Sequence, residues 1–474
     1  MIDDPRQPLV PEPKRWRLAP DAWRLSGRLT LGRLDRFLRV RSARGLPNSL
    51  KARFRAMRIP EATINSVLGG IRGLNGWMDG WNLAAQRFLT EARGEERAGR
   101  WQEAAVARIN AAMCFHIAHL VTDTDPRTLR TLRASSVTTF AQAVPRVMPE
   151  TRKISLPWRN RSLPAYLATP PTHSAPHPLL VLLNGATNCK EELLLWTRPL
   201  LESGIAVLTV DWPGTGESAS FTAPLADCDD ITDGFFALAE SHPSLDPEMV
   251  AVGGISLGAG VAVRSAVYDR RLIGAMAVTP LYEPRVWWSY VNPLVQLQLM
   301  SLAAGHQDPE AIVASFGLAD LAPRMHAPLL VFGAGRDMVV PPEESISLAA
   351  AAGELATLVW YPGGGHGLYG ELDDWMHLTA TWLNGLIERI EFDEDIEQPA
   401  ATEKPSVDDT AAVTVAAPTS EATAVQRGSE STRVDDSLAE APSQEARPET
   451  GGETASPSGD ERAKTGPDDD DIWD

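Results

Sequence analysis

The chain is poor in cysteine. It has three, Cys114, Cys189 and Cys228, scattered with no C-x-x-C pair. That scarcity excludes a disulfide framework and a structural zinc site, and it fits a reducing compartment. No run approaches the ~20 apolar residues needed to cross a bilayer. The opening stretch MIDDPRQPLVPEPKRWR lacks the apolar core of a signal peptide. These absences predict a soluble, cytoplasmic chain without a transmembrane segment. Zinc-finger and aromatic-on-sheet patterns are also missing, so no nucleic-acid partner is expected.

Two segments are poor in charge of one sign. Of the chain's 62 acidic and 44 basic residues, 22 and 6 lie from Asp393 onward, leaving 40 and 38 before it, so the net charge of −18 belongs mostly to the tail. After Phe392 the one aromatic is Trp473. Residues 393–474 therefore cannot bury enough apolar surface to offset chain entropy, and a disordered acidic tail is predicted. Its final PDDDDIWD could bind a partner, although a solubilising end is the favoured reading. The first 60 residues are the opposite, with 15 Lys and Arg against 5 Asp and Glu. Such a basic stretch can lie on an anionic membrane, but an arginine-rich face docked on the acidic remainder is favoured.

What is present divides the remaining chain in two. Residues 61–150 carry apolar side chains at helical spacing, broken at glycines, and read as a helical domain. Residues 151–392 alternate strand and helix. A hairpin, KISLPWRNRSLPAYLATP, is followed by apolar runs at 178–185, 205–214, 249–256, 273–280, 328–335 and 356–363, each ending in Gly or Pro. Near-continuous apolar strands alternating with helices predict an α/β fold, a mostly parallel, doubly wound sheet covered on both faces. In such sheets reactive groups sit at the carboxyl ends of strands. A long insert at 281–325 has the character of a lid.

The motif Gly254-Ile255-Ser256-Leu257-Gly258 is G-x-S-x-G between a strand and a helix. A serine on so sharp a turn is held in a strained conformation, its hydroxyl lifted clear of the sheet. Glycines at 254 and 258 remove side chains that would collide, and Gly260 would ease the helix against the sheet. A serine needs a base, and the base needs a carboxylate to orient it. Asp337 in GRDMVVPPE and His366 in GGGHG follow later strands, in the order Ser, Asp, His expected here. For the oxyanion, backbone N–H groups of Leu257 and of Ala186, in NGATNCKEE, are the candidates.

On these residues the middle of the chain resembles the α/β-hydrolase superfamily. LLNGATNCKEELLLW, VDWPGTGES and the N-terminal GWMDGWNLAAQRF are similar to its FrsA-like hydrolases, which add an N-terminal helical cap. The resemblance implies a serine hydrolase with a cap over its active site; some members cleave esters and others cleave carbon–carbon bonds beside a carbonyl. The acidic tail and the basic first 60 residues depart from that pattern. So does Asn184, where a His or Gly usually precedes the oxyanion glycine.

Other residues have two readings each. Trp77, Trp287 and Trp288 would line a substrate cleft or simply pack. His116 and His119 share a helix face and could ligate metal, but without a third ligand they read as core histidines, and no metal or organic cofactor is expected. Cys189 has no partnering His in sequence and does not read as a nucleophile. Glu191 and Glu192 read as helix N-terminal charges. The expected substrate is a small acyl or carbonyl compound, first an ester; carbon–carbon hydrolysis and acyl transfer are the alternatives. A non-catalytic interaction protein is the reading from another class. A homodimer, and a partner for the acidic tail, are left open.

Overall fold

In this computed structural model the described residues are 31–46, 48–120, 126–220, 226–291, 295 and 309–397. The start of the basic segment, the middle of the 281–325 insert and almost all of the acidic tail lie outside them, and with them the expectations placed on the tail.

Among the described residues six helices precede the sheet: α1 (Leu31–Arg41), α2 (Asn48–Ala56), α3 (Glu61–Gly70), α4 (Asn75–Arg97), α5 (Trp101–Ala118) and α6 (Pro126–Val147). In α4 the buried residues Trp77, Trp81, Ala84, Ala85 and Ala92 form one stripe, the spacing of a helix with one covered face. In α5 every residue from Ala104 to Ala118 except Val106 and Arg108 is buried. A small-residue helix apolar on nearly all sides sits at the centre of its layer.

Eight strands follow: β1 (Thr151–Trp158), β2 (Arg161–Ala168), β3 (His177–Leu183), β4 (Ala206–Val210), β5 (Leu245–Ile255), β6 (Gly274–Val278), β7 (Leu329–Ala334) and β8 (Ala356–Tyr361). They form one sheet in the order β1-β2-β4-β3-β5-β6-β7-β8. β1 pairs antiparallel with β2, and β2 with β4, while all other pairs are parallel. The described helices of this half are α7 (Lys190–Leu194), α8 (Arg198–Glu202), α9 (Ile231–Ser241), α10 (Leu257–Tyr268), α11 (Pro284–Trp287), α12 (Pro309–Ser315), α13 (Glu343–Ala352) and α14 (Leu372–Glu397). The hairpin and all six apolar runs of the sequence thus become strands. β4, β6 and β7 are buried along their whole length, whereas the edge strand β8 alternates, as expected when only central parallel strands are covered on both faces.

Alternation along each strand divides the core in two. Leu180 and Leu182 join one cluster, with α8, α14 and side chains of the N-terminal helices. Leu179, Val181 and Leu183 join the other, with α9, α10 and the 281–325 segment. Helical layer and sheet therefore share an apolar core. The strand ends align: Leu183 is level with Val210 and Gly254, Ile255 with Val278, and Val278 with Phe332. The loops beyond these residues form one rim.

Candidate active site

Ser256 follows β5 at φ +55°, ψ −117°, a left-handed conformation costly for any residue but glycine. It is held by its own N–H donating to Val278 O at 2.9 Å and by its carbonyl accepting Ala259 N–H at 3.1 Å. A Cβ on Gly254 would stand 2.2 Å from Gly258 O, and one on Gly258 would stand 2.4 Å from Leu183 O. The glycines thus admit the close approach of helix α10 to both β5 and β3. Gly260 is different, since a Cβ there would meet Phe316 at an ordinary 3.6 Å. The expected relief against the sheet is not needed at that position.

Asp337, in the loop after β7, is 3% exposed. Its Oδ1 accepts the N–H groups of Val339 and Val340 at 2.8 and 2.9 Å, which leaves Oδ2 to face His366 Nδ1 at 2.7 Å. With Nδ1–H donated to the carboxylate, Nε2 carries the imidazole lone pair. The histidine loop is tied to the serine's neighbourhood through Thr279, which follows β6. Gly367 N–H donates to Thr279 Oγ1 at 3.2 Å, and Thr279 itself sits at φ +44°. A β-branched residue in that region is strained, and its position between the serine and histidine loops fits the clustering of strain at functional sites.

The loop after β3 reaches the same rim. A Cβ on Gly185 would lie 3.5 Å from Ser256 Cβ. Asn184 is fully buried, and its Nδ2 donates to Gly185 O at 3.0 Å and to Asn188 O at 2.9 Å. Its Oδ1 accepts the Thr215 hydroxyl at 3.2 Å, and its main-chain O accepts Trp212 Nε1–H at 2.6 Å. Gly185 C=O and Ala186 N–H belong to one peptide plane, so the Asn184 side chain fixes the direction of the Ala186 donor.

Behind this loop the two family-like stretches meet. Lys190, wholly buried, places Nζ 2.8 Å from Asp211 Oδ2 and 2.9 Å from Glu217 Oε2. Nζ is also 2.7 Å from Glu191 Oε1, an oxygen that satisfies no hydrogen-bond geometry, so that contact is ionic. Asp211 further accepts the backbone N–H of Lys190 and of Glu217, each at 2.8 Å. A Cβ on Gly216 would stand 2.1 Å from the Asp211 carboxylate, which explains the second glycine of D-W-P-G-T-G-E. Burial opposes the Lys190 charge, but the three carboxylates hold its pKa well above the ordinary lysine value.

Glu191 and Glu192 are buried and paired, rather than simple charges at a helix end. Glu192 meets Arg53 and also His116, whose Nε2 is 3.2 Å from its Oε2. Burial pushes the Glu192 carboxyl up, yet the Arg53 charge and the hydrogen bonds from Arg53 and His116 prevail and hold it at about 2. His116 Nδ1 lies 3.2 Å from His119 Nε2. Among the described residues no group of three His, Cys, Asp or Glu is placed to hold a metal ion. Cys189 does have a histidine nearby, His116 Nε2 at 3.9 Å, which its sequence neighbourhood could not show. Burial and the neighbouring carboxylates nevertheless push its thiol well up, the wrong direction for a nucleophile.

A cavity separates this loop from the helical layer. His119, Arg133 and Ser136 line one side, and Ala186, Asn188 and Glu217 the other; Ser256 and His366 are not in its lining. Trp77 is elsewhere. It packs against Phe54 and Trp81 in the helical core, its indole N–H donated to Ile117 O at 2.9 Å. Trp287 and Trp288 are buried against the opposite core. Arg53 and Thr279 stand in no motif that marks them in the sequence, whereas Lys190 and Asp211 could have been found from the paired K-E-E and D-x-P-G-x-G-E stretches.

An eight-stranded sheet in this order, with a serine on the sharp turn after β5, is the arrangement of the α/β hydrolases, and the chain has their fold. Comparison with known proteins points to their FrsA-like branch: the family described as "Esterase FrsA-like" matches residues 51–283, and the "Prolyl oligopeptidase family" matches 194–388. The chain is 25% identical to 2,6-dihydropseudooxynicotine hydrolase of Paenarthrobacter nicotinovorans, over 47% of this chain and 62% of that protein. It is 34% identical to hydrolase pyiE of Pyricularia grisea, over 33% of this chain and 36% of that protein. The crystal structure of 2,6-dihydroxy-pseudo-oxynicotine hydrolase superposes with a TM-score of 0.62 at 21% identity, covering 70% of this chain and 94% of that one. Among the described residues no helix is long and apolar enough to cross a membrane.

Proposed function

We propose that the chain is a serine hydrolase of carbonyl substrates, with 61–150 as a helical cap over the catalytic domain 151–392. The observation that carries this reading is the 2.7 Å Asp337–His366 pair on the rim that holds Ser256 in its left-handed turn. Ser256 Oγ attacks the carbonyl carbon while its proton passes to His366 Nε2. Asp337 holds the imidazole in that tautomer and stabilises the imidazolium. Negative charge on the carbonyl oxygen is met by the amides of Leu257, at the start of α10, and Ala186. The C–O bond to the leaving group breaks, and the leaving oxygen takes the proton from His366. Water then attacks the acyl-enzyme, giving one proton to His366, and Ser256 recovers that proton as the acid is released. The three cysteines are free and buried, which supports a reducing, cytoplasmic setting.

An ester is the first substrate class. One observation favours carbon–carbon cleavage as a second reading. Arg133 Nε is sealed from solvent without a hydrogen-bond partner, and the side chain lines the cavity beside Ala186. A guanidinium there would stabilise a departing carbanion as its enolate, whose carbon then takes the proton that His366 received from Ser256.

The test is labelling by a fluorophosphonate, with turnover of p-nitrophenyl acyl esters. Wild-type protein should label and turn over, Ser256→Ala should do neither, and Asp337→Asn should lose roughly 10⁴-fold in kcat through the wrong imidazole tautomer. Labelling that survives in folded Ser256→Ala would sink the reading. Arg133→Met should impair an aryl β-dicarbonyl substrate far more than a simple ester if the second reading holds.

A further inference from the structure

Arg53 lies on α2, in the basic N-terminal segment, yet it is only 7% exposed. Its Nε and Nη2 donate to Glu192 Oε1 and Oε2, each at 2.9 Å. Nη1 donates to Thr187 Oγ1 at 2.9 Å, and Nη2 also to Thr187 O at 2.8 Å. The guanidinium carbon stands 5.4 Å from the centroid of the Tyr369 ring, and Tyr369 Oη accepts from Asn188 Nδ2 at 3.1 Å. One side chain therefore touches the loop after β3, the first turn of α7 and the loop that carries His366.

An ion pair this deeply buried is seldom a source of net stability, because desolvating two charges offsets their attraction. The geometry points to another use. Asn184 fixes the peptide plane between Gly185 and Ala186, and Arg53 fixes the plane between Thr187 and Asn188 by holding Thr187 O. With both planes pinned, the Ala186 N–H has one direction. Through Tyr369 the same guanidinium packs against the histidine loop. We propose that Arg53 is a positioning residue: from the N-terminal helices it sets the oxyanion-hole amide of Ala186 and seats the His366 loop, so full transition-state stabilisation needs a side chain outside the hydrolase sheet. This rests on the reading of Ser256 as nucleophile and Ala186 as oxyanion donor.

The test compares wild type with Arg53→Lys, Arg53→Met/Glu192→Met and Thr187→Val, measuring Tm, kcat and KM on a p-nitrophenyl ester, and the fluorophosphonate labelling rate. The double variant removes both charges together, which avoids an unpaired buried carboxylate. It should fold with a Tm near wild type and keep KM within about twofold, while kcat and labelling fall ~10- to 100-fold, the scale of a misplaced oxyanion donor. Arg53→Lys keeps the charge without the fork, and should recover Tm but not kcat. Thr187→Val keeps the ion pair and the bond to Thr187 O but loses the Nη1–Oγ1 bond, so it should lower kcat several-fold at unchanged KM in folded protein even if Tm falls slightly, a readout that survives if the double variant does not fold. Wild-type kcat in a folded double variant, or a loss that follows only the folded fraction, overturns the proposal. Failure of the serine reading would appear separately, as wild-type protein that does not label or labelling unaffected by Ser256→Ala.

Discussion

Asn184 occupies the position at which the chain departs from the hydrolases it resembles, and its contacts supply a function for the departure. A His or Gly there could not bracket both Gly185 O and Asn188 O from one amide while accepting the Thr215 hydroxyl. Asn184→Ala should leave these buried groups unpaired, lowering stability by about 1–3 kcal/mol, and should reduce kcat by roughly tenfold or more as the Ala186 amide loses its direction. Urea unfolding and ester turnover on the same preparation check both parts; unchanged kcat in a folded variant would show that the Asn184 side chain does not act through the Ala186 amide. Much at this scale was legible in sequence. The serine, aspartate and histidine are marked by glycines and strand ends, because a tight turn and close backbone approach leave a compositional trace. Arg53 leaves none. Its partners lie 134 and 139 residues away, and one arginine among many basic neighbours carries no sign of which one is buried.

Among elements, the strands were the readable part, since a strand buried on both faces must be apolar throughout. The helices were readable as helices but not in what they cover. The sequence offered Trp77 for a substrate cleft or for packing without saying that Phe54 of α2 would meet it and Trp81. The connection between α7 and the loop after β4 is ionic. It depends on Lys190 facing three carboxylates, with exposures of 0% for Lys190 and Asp211, 1% for Glu191 and 35% for Glu217. Lys190→Met would leave Asp211 and Glu191 buried without their cation, and should cost about 3–5 kcal/mol. A shift of the urea midpoint with little change in the slope checks this; a loss below about 1 kcal/mol would overturn it.

For the whole molecule the Arg53–Glu192 pair makes stability depend on pH. Glu192 is held at about 2 against an ordinary 4.5, so its folded pKa is depressed. Its contribution is fully present above about 4.5 and lost as pH falls toward 2, and the shift corresponds to about 3 kcal/mol. Stability measured by urea unfolding between pH 6 and 2.5 should fall more steeply in wild type than in Arg53→Met/Glu192→Met. Parallel slopes would show that the pair has no such linkage.

The Arg53 clamp also bears on how the molecule is made. Synthesis delivers α2 early and the histidine loop after β8, so the arginine must wait for nearly the whole sheet before its partners exist. Contacts so distant along the chain form late, after local helices and hairpins. During refolding, far-ultraviolet ellipticity should therefore recover ahead of esterase turnover, and the final phase should be docking of the N-terminal helices. If the proposed roles of Ser256 and Arg53 hold, a nascent or half-folded chain would carry the serine, aspartate and histidine while remaining inert, and hydrolysis would begin only when folding is complete.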